Sequence, residues 1–221
     1  MPANGIKWKD MGTELRHHLP FSVFSVAVGI TVLGVISYMS ALMGVINFSQ
    51  ASYRLFHIFH PLHMLFSSMA TTAMFWRYER KLVKAIVVGF IGAVGICGIS
   101  DIVMPFYSGR LLGVKMHWHI CIVEHSQIIL PFVAVGILTG LMVPEVRRST
   151  IFSHSVHVLI SSMASILYLV SFGLSEWVQV IGMVFVFMIL AVIIPCCISD
   201  IVFPLLLVGE EARLEEHEHM H

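Results

Sequence analysis

The chain has 221 residues, 57% of them hydrophobic and 12% charged, with a mean hydropathy of +0.89. Thirteen Lys and Arg balance thirteen Asp and Glu, so the composition excludes an ordinary soluble domain and offers nucleic acid no basic surface. Four cysteines in so apolar a chain do not make a disulfide framework, and no cleavage site follows the first apolar run.

A spanning helix needs about 20 mostly apolar residues. Six segments qualify, at about 19–46, 55–76, 82–107, 120–143, 151–174 and 178–208. The first carries VAVGI at 26–30, just after His17 and His18. The second reads FHPLHMLFSSMA from Phe59 to Ala70, with His60 and His63 one turn apart. The third holds Gly89, Gly92, Gly95 and Gly98, a small-residue stripe suited to close helix packing, and then CGISDIVMP at 97–105. The fourth follows His125 and repeats VAVGI at 133–137. The fifth, FSHSVHVLISSMA from Phe152 to Ala164, repeats the pair as His154 and His157. The sixth repeats the third as CCISDIVFP at 196–204.

The expected fold is therefore all-α and membrane-integral, with six transmembrane helices in two repeats, 19–109 and 124–209. An N-terminal segment 1–18, a connection 110–123 and an acidic, His-rich tail 210–221 complete the chain. Three helices per repeat is an odd number, so the second copy must cross in the opposite sense. That is the inverted-topology repeat of many secondary transporters. With six spans, ten Lys and Arg fall on the side holding both termini and three (Arg54, Arg110, Lys115) on the other. The positive-inside rule then places both termini in the cytoplasm, with the cell membrane as the expected location. Trp76, Trp118 and Trp177 sit at predicted span ends, where interfacial tryptophans collect.

Charge within hydrocarbon is costly, roughly 2.5–3.5 kcal/mol per group on insertion scales. Asp101 and Asp200 alone among the carboxylates lie well inside predicted spans, at matched repeat positions. Helix direction predicts two separate constellations. His60, His63, Asp101 and His125 converge toward the outer face; His154, His157, Asp200 and His18 converge toward the inner one. Three imidazoles and a carboxylate suit a borderline divalent ion, zinc first, with iron, manganese and cobalt open. Positions i and i+3 share a helix face, so an HxxH pair can serve one ion. Cys97 and Cys196 each precede their aspartate by four residues and are read mainly as packing, with His57 and Glu124 as further candidate ligands. His17, His117 and His119 are read as interfacial side chains. His217, His219 and His221 are read as part of a mobile polar tail.

These features predict a transporter of a divalent transition metal through two pseudo-symmetric sites, with the lipid bilayer and the ion as partners and self-association open. No nucleotide-binding motif is present, so energy would come from a gradient or a separate subunit. Two alternatives stand beside it: a membrane metalloenzyme that activates water, with Ser67, Ser100 or Glu124 in support, and a metal-sensing or accessory subunit. Bis-histidine haem is disfavoured, because two histidines one turn apart on one helix cannot clamp one iron. The stretch HPLHMLFSSMATTAM resembles the histidine- and methionine-bearing helices of MHYT-type membrane sensor domains. That resemblance covers one helix, lacks the M-H-Y-T string and assigns no family.

Overall fold

The computed structural model describes residues 8–44, 47–142 and 149–209, which form helices and no strand. We number the long helices α1 (Trp8–Met43), α2 (Phe48–Tyr78), α3 (Leu82–Leu111), α4 (Ser126–Met142), α5 (Ser149–Ser171) and α6 (Trp177–Leu207). Leu19–Met43 of α1, α3 and α6 are long and apolar enough to cross a membrane, which marks the protein as membrane-embedded. Their outward faces carry large apolar side chains such as Phe24, Val83, Val87 and Val186, as a lipid-facing surface requires.

Local chemistry sets the helix limits. Gly44, at φ +60°, ends α1 in the left-handed region that glycine enters without Cβ strain. Asn47 caps α2, its side chain accepting the Gln50 N–H at 3.2 Å. At the other end, Glu79 accepts from Lys81 and Lys84 at 2.8 and 3.0 Å, and from the Gly209 N–H at 3.1 Å. The Lys81 contact, with Gly209 and Lys84 behind it, holds the Glu79 carboxyl down to about 2. This seam fastens the α2–α3 turn to the end of α6.

Neither α3 nor α6 is α-helical throughout. Ile91–Cys97 and Ile99–Val103 in α3, and Ile198–Val202 in α6, are π-helical. The two ISDIV strings thus share a rare widened turn, which in other proteins often accompanies a functional site. Each widened turn carries its aspartate inward: Asp101 is fully buried and Asp200 nearly so.

The packing follows the repeat. α2 lies against α4, α5 and α3, while α1 lies against α5 and α6. The first helix of each repeat thus rests on the second helix of the other. VAVGI and SSMA meet at those two contacts. A Cβ on Gly136 would stand 2.1 Å from Ser68 Oγ and 2.3 Å from the Leu65 carbonyl oxygen; one on Gly29 would stand 2.8 Å from Ile166 Cδ1. Backbone cannot yield as a side-chain tip can. Gly136→Ala is therefore expected to cost about 1–3 kcal/mol of overpacking. Gly29→Ala is expected to be near neutral, since a rotated Ile166 and better helix propensity offset each other. Thermal unfolding in detergent checks the contrast, and equal midpoints would contradict it. The glycine stripe of α3 packs over half its length only. Gly89 and Gly92 press on Thr72 and Thr71 of α2, whereas Gly95 and Gly98 border a cleft of about 130 Å³ beside His60.

Candidate metal centre

α2 begins seven residues before its predicted start, so His63 stands fifteen residues after Phe48 in a helix of 31. That is mid-height, about 22 Å along the helix, and it changes which residues meet. His63 and His157 were expected on opposite faces. They touch instead, Nε2 to Nε2 at 2.6 Å. The Cys97 and Cys196 sulphurs complete the group: all four ligand atoms lie within 4.8 Å of one another, and all four residues are buried. Each cysteine lies beside the histidine of the other repeat, Cys97 Sγ 3.9 Å from His157 Nε2 and Cys196 Sγ 3.9 Å from His63 Nε2.

The aspartates stand behind the histidines. His63 Nδ1–H donates to Asp101 Oδ2 at 2.6 Å, and His60 Nδ1 reaches the same oxygen at 2.8 Å. Asp101 Oδ1 accepts from Ser100 at 2.9 Å and Ser161 at 3.3 Å. In the second repeat, His157 Nδ1 lies 2.8 Å from Asp200 Oδ2. The repeated serines are equally matched: the Ser67 hydroxyl donates to Cys97 Sγ at 2.9 Å, and the Cys196 thiol donates to Ser161 Oγ at 3.4 Å.

This arrangement has a chemical consequence. A carboxylate at Nδ1 fixes the imidazole proton there and leaves Nε2 as a lone pair, the arrangement found behind metal-bound histidine. Here two such lone pairs face each other. At 2.6 Å they repel unless a cation, either a proton or a metal ion, lies between them. Two imidazole nitrogens and two sulphurs are a familiar tetrahedral donor set for zinc. Bonds of about 2.0–2.1 Å in a tetrahedron separate two nitrogens by roughly 3.3 Å, so coordination would part the rings by roughly 0.7 Å. The residues fit a metal ion.

A second group lies at the end of the bundle where the 112–125 connection closes it. His57 of α2 and His119 and His125 of the connection hold ligand atoms within 4.8 Å of one another. Tyr53 O accepts from His57 Nδ1 at 2.8 Å, and Glu124 Oε1 lies 2.9 Å from His119 Nδ1. Cys121 Sγ stands 3.4 Å from His119 Nε2 and 3.9 Å from His57 Nε2.

Set against the sequence reading, His60, His63 and Asp101 come together as expected, whereas His125 groups with His57 and His119. His157 and Asp200 are paired, but His157 belongs to the same centre as His63. The side chains of His18 and His154, like the tail histidines, lie outside the described residues. Cys97 and Cys196, read mainly as packing, are buried beside the two histidines and count among the candidate donors. His119, read as interfacial, is buried, whereas His117 is exposed as expected. Trp177, also read as interfacial, is buried in the core. Cys121 went unread; the dense run His119-x-Cys121-x-x-Glu124-His125 was the available signal.

Comparison with known proteins returns no matching family model, no matching curated protein and no matching solved structure.

Proposed function

We propose that the chain transports a divalent transition metal ion, zinc in the first place, across the membrane in which it is embedded. The observation that carries this reading is the division of the donor set. His63 and Cys97 come from one repeat, His157 and Cys196 from the other. In this reading all six long helices span the bilayer as two triplets of opposite sense, with both termini cytoplasmic. Rocking one triplet against the other splits the ligand sphere between them, so the motion that opens the centre also releases the ion.

Charge supports the same reading. Asp101 and Asp200, together with Cys97 and Cys196 as thiolates, would gather negative charge in the middle of the bundle, and a divalent cation offsets two of those charges where uncompensated charge is costly. When the ion leaves, protons return to the two sulphurs and to the facing Nε2 atoms in its place. Imidazole must be neutral to bind metal and gains charge near neutral pH. Metal moving one way with protons moving the other is the coupling this predicts.

A second reading is a static centre in a sensing or accessory subunit. Its specific support is the closed set, since structural zinc sites take four protein ligands. The same closure disfavours a water-activating enzyme at this centre, because no position is left for water. Elemental analysis of purified protein, paired with zinc flux in liposomes that trap a metal-sensitive dye, decides between them. Bound zinc with flux and an opposing pH change is expected. Bound zinc with no flux would establish the static centre, and no bound metal would remove both readings.

A further inference from the structure

Nothing in the transport reading requires the group at the connection end of the bundle, yet its geometry repeats the logic of the centre. The three imidazoles come from two separate parts of the chain: His57 from α2, and His119 and His125 from the connection that ends where α4 begins. Separate elements rarely bring three histidines within ligand distance for packing alone, since the uncharged ring packs no better than Leu or Phe and carries two polar nitrogens that need partners.

Two of the rings are already oriented. The Tyr53 carbonyl takes the Nδ1–H of His57, and Glu124 faces Nδ1 of His119. An acceptor at Nδ1 turns Nε2 into the free donor atom. Packing fixes the planes as well: His119 stacks on Phe172 with centroids 4.6 Å apart, and His57 leans on Tyr53 at 4.2 Å. His125 closes the triangle with its ring edge-on to His57 at 4.8 Å. Three nitrogen donors, two of them already oriented, leave a fourth position, which the nearby Cys121 sulphur or a water can fill. An all-nitrogen face with one free position suits zinc, cobalt or nickel and binds them more exchangeably than a closed thiolate set. His57 and His125 are only half-buried, so an ion can reach the site from outside the bundle.

We propose that His57, His119 and His125 bind a second divalent transition metal ion, independent of the ion at His63 and His157. The claim concerns binding alone and does not rest on transport.

The test counts ions. The full chain carrying His217→Ser, His219→Ser and His221→Ser serves as reference, so that the tail contributes nothing. Equilibrium dialysis against Zn²⁺ in detergent is followed by elemental analysis. The reference should hold about two ions per chain. His119→Ala and His125→Ala should each lower the count to about one, and Cys97→Ser with Cys196→Ser should do the same from the other side. Where His119→Ala fails to fold, His125→Ala carries the test, because His125 is half-buried and lies outside the helices, just before α4. An unchanged unfolding midpoint without metal certifies that variant. A His125→Ala variant that holds as many ions as the reference overturns the proposal, whereas a reference of about one ion that falls to none in His125→Ala supports it and shows the His63–His157 centre empty. Zinc flux measured on the same preparations stays informative about the transport reading in either case.

Discussion

Asp101→Asn and Asp200→Asn are each expected to abolish zinc flux in liposomes and to weaken binding at the centre by more than tenfold. Neither residue touches the ion in the arrangement described. Each acts through a histidine: Asp101 Oδ2 receives His63 at 2.6 Å and His60 at 2.8 Å, and Asp200 Oδ2 lies 2.8 Å from His157. Asparagine keeps the shape but removes the charge. Its amide oxygen can still accept from one imidazole, so the ring can hold its place while its basicity falls. Partners of metal-bound histidine are commonly worth 10–100-fold in affinity, and tenfold is about 1.4 kcal/mol. Flux should suffer at least as much as binding, because an ion that no longer fills the centre cannot be handed across it. The measurement pairs flux with bound-metal counting on the same protein. Full flux in either variant would remove the aspartates from the mechanism. Because the centre is shared, both variants should lose affinity at one common site. Loss of two distinguishable sites, one per variant, would restore the separate constellations that the sequence alone suggested.

His63→Ala and His157→Ala are expected to go further, each emptying the centre at metal concentrations that fill the native protein. Here a donor atom is removed along with its orientation, so the loss should exceed the upper end of the carboxylate effect, about a hundredfold. The two should be equal within error, since the donors are related by the repeat and each faces a cysteine of the opposite half at 3.9 Å. Cobalt substitution reads this directly, because thiolate-to-cobalt charge transfer reports whether the sulphurs still ligate. Retention of that signal in one variant and not the other would assign the centre to one repeat. Because ligating imidazoles must be deprotonated, filling the centre in the native protein should release protons, and acidification should empty it.

The sequence revealed most of the helices but misplaced what they bring together. Long apolar runs mark α1, α3 and α6, and the doubled HxxH, SSMA and SDIV strings marked the residues that matter. Depth was the weak step. The start of α2 was drawn at residue 55, where the apolar run begins, while Asn47 caps the helix much earlier. Polar residues 48–54 fit a helix that protrudes beyond hydrocarbon, and hydropathy alone cannot distinguish that from a loop. The seven-residue difference moves His63 from the outer part of α2 to its middle. The widened turns at Ile99–Val103 and Ile198–Val202 were invisible for another reason: nothing in the composition of ISDIV separates a π turn from an α turn. Cys97 and Cys196 read as packing because cysteine is often a small buried hydrophobe. Their approach to a histidine from the other half makes them candidate donors, and that contact spans 60 residues in one case and 133 in the other.

The division of the donor set also bears on how such a chain can change over generations. Each copy of the repeat contributes one histidine and one cysteine to the centre, with one aspartate behind them. Two donors alone make a feeble site; the four-fold sphere exists only when both copies are present and matched. A duplicated segment is ordinarily free to drift once its twin suffices. In the proposed shared centre neither twin would suffice, and a substitution in one copy would disable the contribution of the other. The same two-part construction would let two separate three-helix chains of opposite orientation assemble one centre between them, with the ion as the bond that holds the pair together.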